Sequence, residues 1–152
     1  MIHTDNSLWG LPDPDTQAEF YADVPLKRAL AWGVDIALVF GLTVLISFLT
    51  LGIGFFVFVL LLPTVDVIYR TVTLANRSAT PGMRLTAIEL RKANGERLDL
   101  ATAVLHTAGY YISWSFFLLQ IASIVLMLAT PRGQGVTDHL LGTAAVNTAA
   151  KS

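Results

Sequence analysis

The sequence predicts an all-α membrane fold: a helical multi-pass bundle with three transmembrane helices, room for an extra re-entrant segment, and a short cytoplasmic β-hairpin loop. Composition is the first reason. Hydrophobic residues make up 54% of the 152 residues and charged residues 14%, with a mean hydropathy of +0.61, against about 25% charged in a soluble domain. So little charge cannot cover a water-facing surface without leaving large apolar patches. Patterning is the second reason, because the apolar residues fall in long blocks, and about 20 such residues cover the hydrocarbon core of a bilayer. Charge is the third, with the cations gathered between those blocks. A net charge of -1 argues against nucleic acid as a partner, and the absence of cysteine removes disulfides and thiolate chemistry.

Residues 1–26 read as a flexible acidic arm, with Asp5, Asp13, Asp15, Glu19 and Asp23 set among Pro12, Pro14 and Pro25. Leu8, Trp9 and Leu11 form an apolar spot suited to docking or to local packing. No basic start and small-residue cleavage site precede the first apolar block, so that block is expected to be retained rather than removed. The membrane domain is expected over 27–150. Its first span covers about 29–51, apolar apart from Asp35 and three hydroxyl residues, and Gly52 and Gly54 mark a tight turn into a second, antiparallel span over about 55–74. Pro63 removes one backbone hydrogen bond there, a loss that hydroxyls such as Thr64 or neighbouring helices make good, and a kink is expected.

Residues 76–99 hold Arg77, Arg84, Arg91, Lys92 and Arg97. The positive-inside rule makes this loop cytoplasmic. Lys27 and Arg28, two crossings away, then place the N-terminus in the cytoplasm as well. Thr80-Pro81-Gly82 reads as a turn. Residues 85–90 and 97–100, either side of Asn94-Gly95, read as a β-hairpin. The third apolar block, 100–129, is too long for one straight span. Either 100–107 lies at the interface, with His106, Tyr110, Tyr111 and Trp114 near the headgroups and a span over about 109–130, or the block bends near Gln120 as a re-entrant hairpin. The polar C-terminal segment is 131–147. The first choice puts it outside the cytoplasm and the second returns it inside.

Buried charge is the main pointer to chemistry. Asp35 lies within a span, where an ionisable side chain costs about 2.5–3.5 kcal/mol and takes a partner. Arg28, seven residues earlier, shares its helix face but sits at the interface. Asp66 or Arg70 of the second span is expected to meet Asp35 at similar depth, and Asp66 and Arg70, four apart, can pair along their own helix. Such carboxylates pin helices together or carry a cation or proton. His3, His106 and His139 are scattered with no zinc spacing, and the glycines form no nucleotide fingerprint, so no metal, no cofactor and no catalysis are expected. Ala29, Gly33 and Ala37 suit close helix packing.

Three stretches together resemble the RDD family of bacterial membrane proteins, named for one arginine and two aspartates. Lys27-Arg28-Ala29-Leu30-Ala31-Trp32-Gly33-Val34-Asp35 is similar to its opening motif. Ala79-Thr80-Pro81-Gly82-Met83-Arg84-Leu85 with Asn94-Gly95 is similar to its cytoplasmic loop, and Thr137-Asp138-His139-Leu140-Leu141-Gly142-Thr143 to its closing motif. The resemblance makes Arg28, Asp35 and Asp138 the signature residues and Pro81, Gly82 and Arg84 the loop motif. Met83 stands where the family usually carries lysine, which weakens a phosphate or lipid-headgroup role for that loop. It also implies a multi-pass protein of the bacterial cytoplasmic membrane, with the lipid bilayer as partner and a homo-oligomer or larger membrane complex around it. The expected function is a non-catalytic accessory or assembly component. The alternative is a small oligomeric sodium or proton antiporter working through intramembrane carboxylates.

Overall fold

The computed structural model describes residues 10–148; His3, Asp5 and the docking spot at Leu8 and Trp9 lie outside them. Helix α1 spans Val24–Leu49, α2 Ile53–Phe56 and α3 Phe58–Arg77. Both α1 and α3 are long and apolar enough to cross a membrane, and the 26 residues of α1 rise about 39 Å at 1.5 Å each. Pro25 sits in the first turn of α1, where its missing N–H costs nothing. The turn after α1 needs left-handed backbone at Leu51 (φ 58°) and Gly52 (φ 89°). A side chain on Gly54 would meet the Ser47 backbone at 2.6 Å, so this glycine lets the two helices close on each other. Helix α3 runs without a break through Pro63, and the Thr64 hydroxyl donates to the Leu60 carbonyl at 2.7 Å.

The third apolar block is two helices, α5 (Leu100–Ser115) and α6 (Phe117–Ala129), bent by 117° at Phe116. Residues 100–107 are the first half of α5, and 109–130 is not one straight helix. The break falls at Phe116, whose extended backbone ends one helix and starts the next, rather than near Gln120. Helix α5 packs antiparallel on α3, with Thr107 on Thr71 (3.3 Å) and Tyr111 on Asp66. The chain then returns, and Gly133 ends beside Pro25 at the start of α1.

At that end of the bundle a small cap is assembled. Its helices are α4 (Pro81–Leu85) and α7 (Val136–Leu141), and its sheet pairs β1 (Ile88–Arg91) with β2 (Ala144–Asn147). The strands are antiparallel, Ile88 opposite Asn147 and Arg91 opposite Ala144. The expected hairpin is thus corrected: Asn94-Gly95 does turn the chain, with Lys92 N–H bonded to the Glu96 carbonyl at 2.9 Å, but 97–100 is not the partner strand. Strand β2 takes the edge instead, because Ala145 is small enough to join Ile88, Leu90, Leu98, Val24 and Leu74 in one core. The other face of the sheet is covered by Leu11 and Tyr21 against Ala144 and Val146. From Gly10 onward the acidic segment is therefore not an extended arm: Gly10 N–H bonds Ala93 O at 2.8 Å, and Leu11 and Tyr21 are buried. Nor is Thr80-Pro81-Gly82 a plain turn, since Thr80 caps α4 by accepting the Met83 N–H.

Burial is inverted relative to a water-soluble domain. The inward stripe of α1 is Ala31, Asp35, Val39, Thr43 and Ser47, while Leu49, Val59, Leu60 and Phe117 are more than two-thirds exposed. Thr43 and Ser47 donate to the carbonyls one turn back, so hydroxyls point inward without needing a partner helix. Ala29, Gly33 and Ala37 lie on the outer face, and a Cβ on Gly33 would meet nothing within 4 Å; the close packing expected of them does not occur within the chain.

Candidate functional site

Two carboxylates tie the cap to the bundle. Asp138 stands in the first turn of α7 and is 1% exposed. It accepts from Arg28 Nη1 at 2.6 Å, from the Thr143 hydroxyl at 2.8 Å and from Gly135 N–H at 3.1 Å, and His106 Nε2 lies at 3.0 Å. Three stretches distant in sequence, around Arg28, His106 and 135–143, meet there because α5 and α6 fold back. Gly109 makes the approach of α5 to α7 feasible, since a Cβ at that position would meet Thr137 at 2.5 Å. Burial alone pushes the Asp138 carboxyl up, but the Arg28 charge and the His106 hydrogen bond outweigh it and hold the group well below the usual carboxylate range.

Asp35, also 1% exposed, is bound by three donors from two other elements. Tyr69 of α3 donates its hydroxyl at 2.8 Å, and α4 supplies the Thr80 hydroxyl at 2.5 Å and the Gly82 N–H at 2.8 Å. Gly82 is bare for a steric reason, because a Cβ would stand 2.2 Å from the Ala31 carbonyl oxygen. Neither Arg28, Asp66 nor Arg70 is the partner expected for Asp35. Asp66 and Arg70 pair along α3 at 3.1 Å as their spacing predicts, and α5 completes them: Tyr111 donates to Asp66, while Arg70 Nη2 bonds the Tyr110 hydroxyl at 3.2 Å and stacks over its ring at 4.0 Å. Trp32 of α1 donates to the same Tyr110 hydroxyl at 2.8 Å.

His106, which is buried, and Tyr111, which is half-buried, are partners of acids. These roles, and those of Tyr69, Thr80 and Thr143 as donors to the two aspartates, were not legible in the sequence, except that for Tyr69 a signal existed, since Asp66, Tyr69 and Arg70 share one helix face. Pro81 begins α4, and Arg84 is exposed at its end.

Between the two clamps lies a cavity of about 570 Å³, reached by Arg28, Asp35, Arg70, His106 and Asp138. The rest of its wall is mainly apolar, with Trp32 and Met127 among the lining residues. Among the described residues no group of three or more His, Cys, Asp or Glu side chains is placed to hold a metal.

This arrangement joins residues from the start, middle and end of the chain, and a family model described as the RDD family matches residues 23–142. The chain belongs to the RDD family. The matched stretch contains both clamps of this RDD protein, Arg28 with Asp138 and Asp35 with Gly82, and its apolar helices are those of a membrane-type protein. Neither a curated protein nor a solved structure matches the chain.

Proposed function

We propose that this RDD protein is a non-catalytic, multi-pass component of the bacterial cytoplasmic membrane that supports a larger assembly, with the N-terminus and the cap in the cytoplasm. Basic residues at the capped end favour that orientation, and the pairing of Arg28 with Asp138 favours a C-terminus on the same side. Helices α1 and α3 cross, and α5 and α6 enter and return as a bent pair. Among the described residues the short turn around Leu51 is what emerges on the far side, so a partner would engage the cap or the helices within the bilayer.

The observation that carries the accessory reading is that both signature carboxylates are saturated by donors: Asp35 by three and Asp138 by four. A carboxylate that carries cations must exchange its ligands, whereas these bind groups fixed on or at the ends of α1, α3, α4, α5 and α7. The second reading, sodium or proton antiport by an oligomer, draws on the cavity that both carboxylates and His106 reach. Three measurements decide. A cysteine at Ser152 should be labelled by a membrane-impermeant thiol reagent only from the cytoplasmic side. Vesicles of the purified protein should show no proton movement when sodium or potassium is added, while native mass spectrometry after gentle extraction should give a partner or further copies at fixed stoichiometry. Cation-driven proton flux that Asp35→Asn abolishes would replace the accessory reading with antiport.

A further inference from the structure

A second concavity, of about 440 Å³, lies on the capped end away from the carboxylate clamps. Arg77 reaches it from the last residue of α3, Arg84 from α4, and Arg97 from the segment leading into α5, beside Asn76, Glu89 and Thr148. All three arginines are exposed, and among the described residues none has an acidic group within ion-pair distance. Glu89, the acid in the wall, is already held by the Arg91 guanidinium, whose Nε lies at 2.8 Å. Three guanidiniums from separate segments around one hollow repel each other unless an anion joins them, and the planar fork of arginine suits a phosphate oxygen pair.

The surroundings narrow the anion. Leu85, next to Arg84 in the chain, is 74% exposed, and Leu100, three residues after Arg97, is 64% exposed. Bare leucines close in sequence to two of the three cations, at the end of a span, suit a boundary with headgroups on one side and acyl chains on the other. We propose that this hollow binds the phosphate-bearing headgroup of an anionic phospholipid of the cytoplasmic leaflet, with Leu85 and Leu100 against its acyl region. The site draws its charge from three segments, so Arg84 does not act alone and the methionine at position 83 does not abolish it. The inference rests on the membrane placement proposed above and is independent of the accessory role.

The test uses the full chain in detergent with phosphatidylglycerol or phosphatidylcholine added at equal concentration, and counts retained lipid by native mass spectrometry. Wild type should retain phosphatidylglycerol in preference to phosphatidylcholine. Arg84→Gln should weaken that retention about fivefold, the contribution of one cation near an anionic surface. Arg77→Gln with Arg84→Gln and Arg97→Gln should erase the preference while leaving the melting temperature in phosphatidylcholine unchanged. Should the triple variant not fold, the single Arg84→Gln carries the test. Lys92→Gln, a cation outside the hollow, should leave retention as it is. Equal loss with Lys92→Gln would mean diffuse charge attraction and overturn the site. Full displacement by millimolar inorganic phosphate would overturn the lipid as occupant and leave a free-phosphate site. A labelling result that inverts the topology would fail the membrane placement while leaving any lipid preference measured here intact.

Discussion

Arg28→Met is expected to destabilise the folded protein by roughly 3–5 kcal/mol, the range for removing one partner of a buried ion pair. The size follows from what is left behind. Asp138 is 1% exposed, so without Arg28 its buried carboxylate keeps only neutral donors and His106. Asp138→Asn should cost less, because the Arg28 side chain is 12% exposed and borders the cavity, where the long stem can carry its charge outward. The double variant should then be less unstable than the sum of the two, with a coupling of about 1–3 kcal/mol as for residues in one network. Unfolding midpoints in detergent would measure all three. The pH dependence has a definite sign. The Asp138 pKa is depressed in the folded state, so its contribution is fully present above the unfolded value of about 3.9 and is lost as pH falls through the lower folded value. The stability gap between wild type and Asp138→Asn should therefore not shrink between about pH 8 and pH 5. A gap that closes near neutral pH would mean that the carboxylate is already taking up a proton there, as a transport group must.

The Asp66–Arg70 pair was legible because both residues sit on one helix and their spacing sets the contact. The composition likewise requires a membrane-type fold, because α1 turns its polar residues inward and its large apolar ones outward. Arg28 and Asp138 are different. They meet only because the chain reverses at Ser115-Phe116-Phe117, which contains neither proline nor glycine and so carries no local mark of a break. Its determinants are elsewhere, in Gly109 against Thr137 and in the Ser123 hydroxyl accepting the Val136 N–H at 3.1 Å. The second strand was hidden for a related reason. Ala144-Ala145-Val146-Asn147 has the composition of a tail, and becomes a strand because small side chains are what the space beside Ile88 and Leu90 admits. The motif around Gly82 was visible as a motif, but its purpose depends on the Ala31 carbonyl, fifty-one positions earlier in the chain.

Gly82→Ala should be more damaging than Asp35→Asn, although only the second removes a charge. The added methyl group would stand 2.2 Å from the Ala31 carbonyl oxygen and 2.8 Å from Asp35 Oδ1, both on α1. Backbone cannot rotate aside as a side-chain end can, so α4 must lift from α1. The Gly82 N–H then loses its 2.8 Å bond and the Thr80 hydroxyl its 2.5 Å bond to Asp35. Overpacking of this kind costs about 1–3 kcal/mol, and each buried donor left without an acceptor adds about 1–3 kcal/mol; a loss of about 3 kcal/mol or more is expected. Asn at position 35 keeps one carbonyl oxygen for the rigid Gly82 N–H, and the Thr80 or Tyr69 hydroxyl can turn to accept from the new amide. That variant should stay folded with a loss of about 1–2 kcal/mol, the difference between a charge-assisted and a neutral hydrogen bond. Asp35→Leu, which leaves all three donors empty, should fall with Gly82→Ala rather than with Asn. If Gly82→Ala melts within about 0.5 kcal/mol of wild type, α4 is not seated on α1, and the clamp that joins the cap to the first helix does not exist in this form.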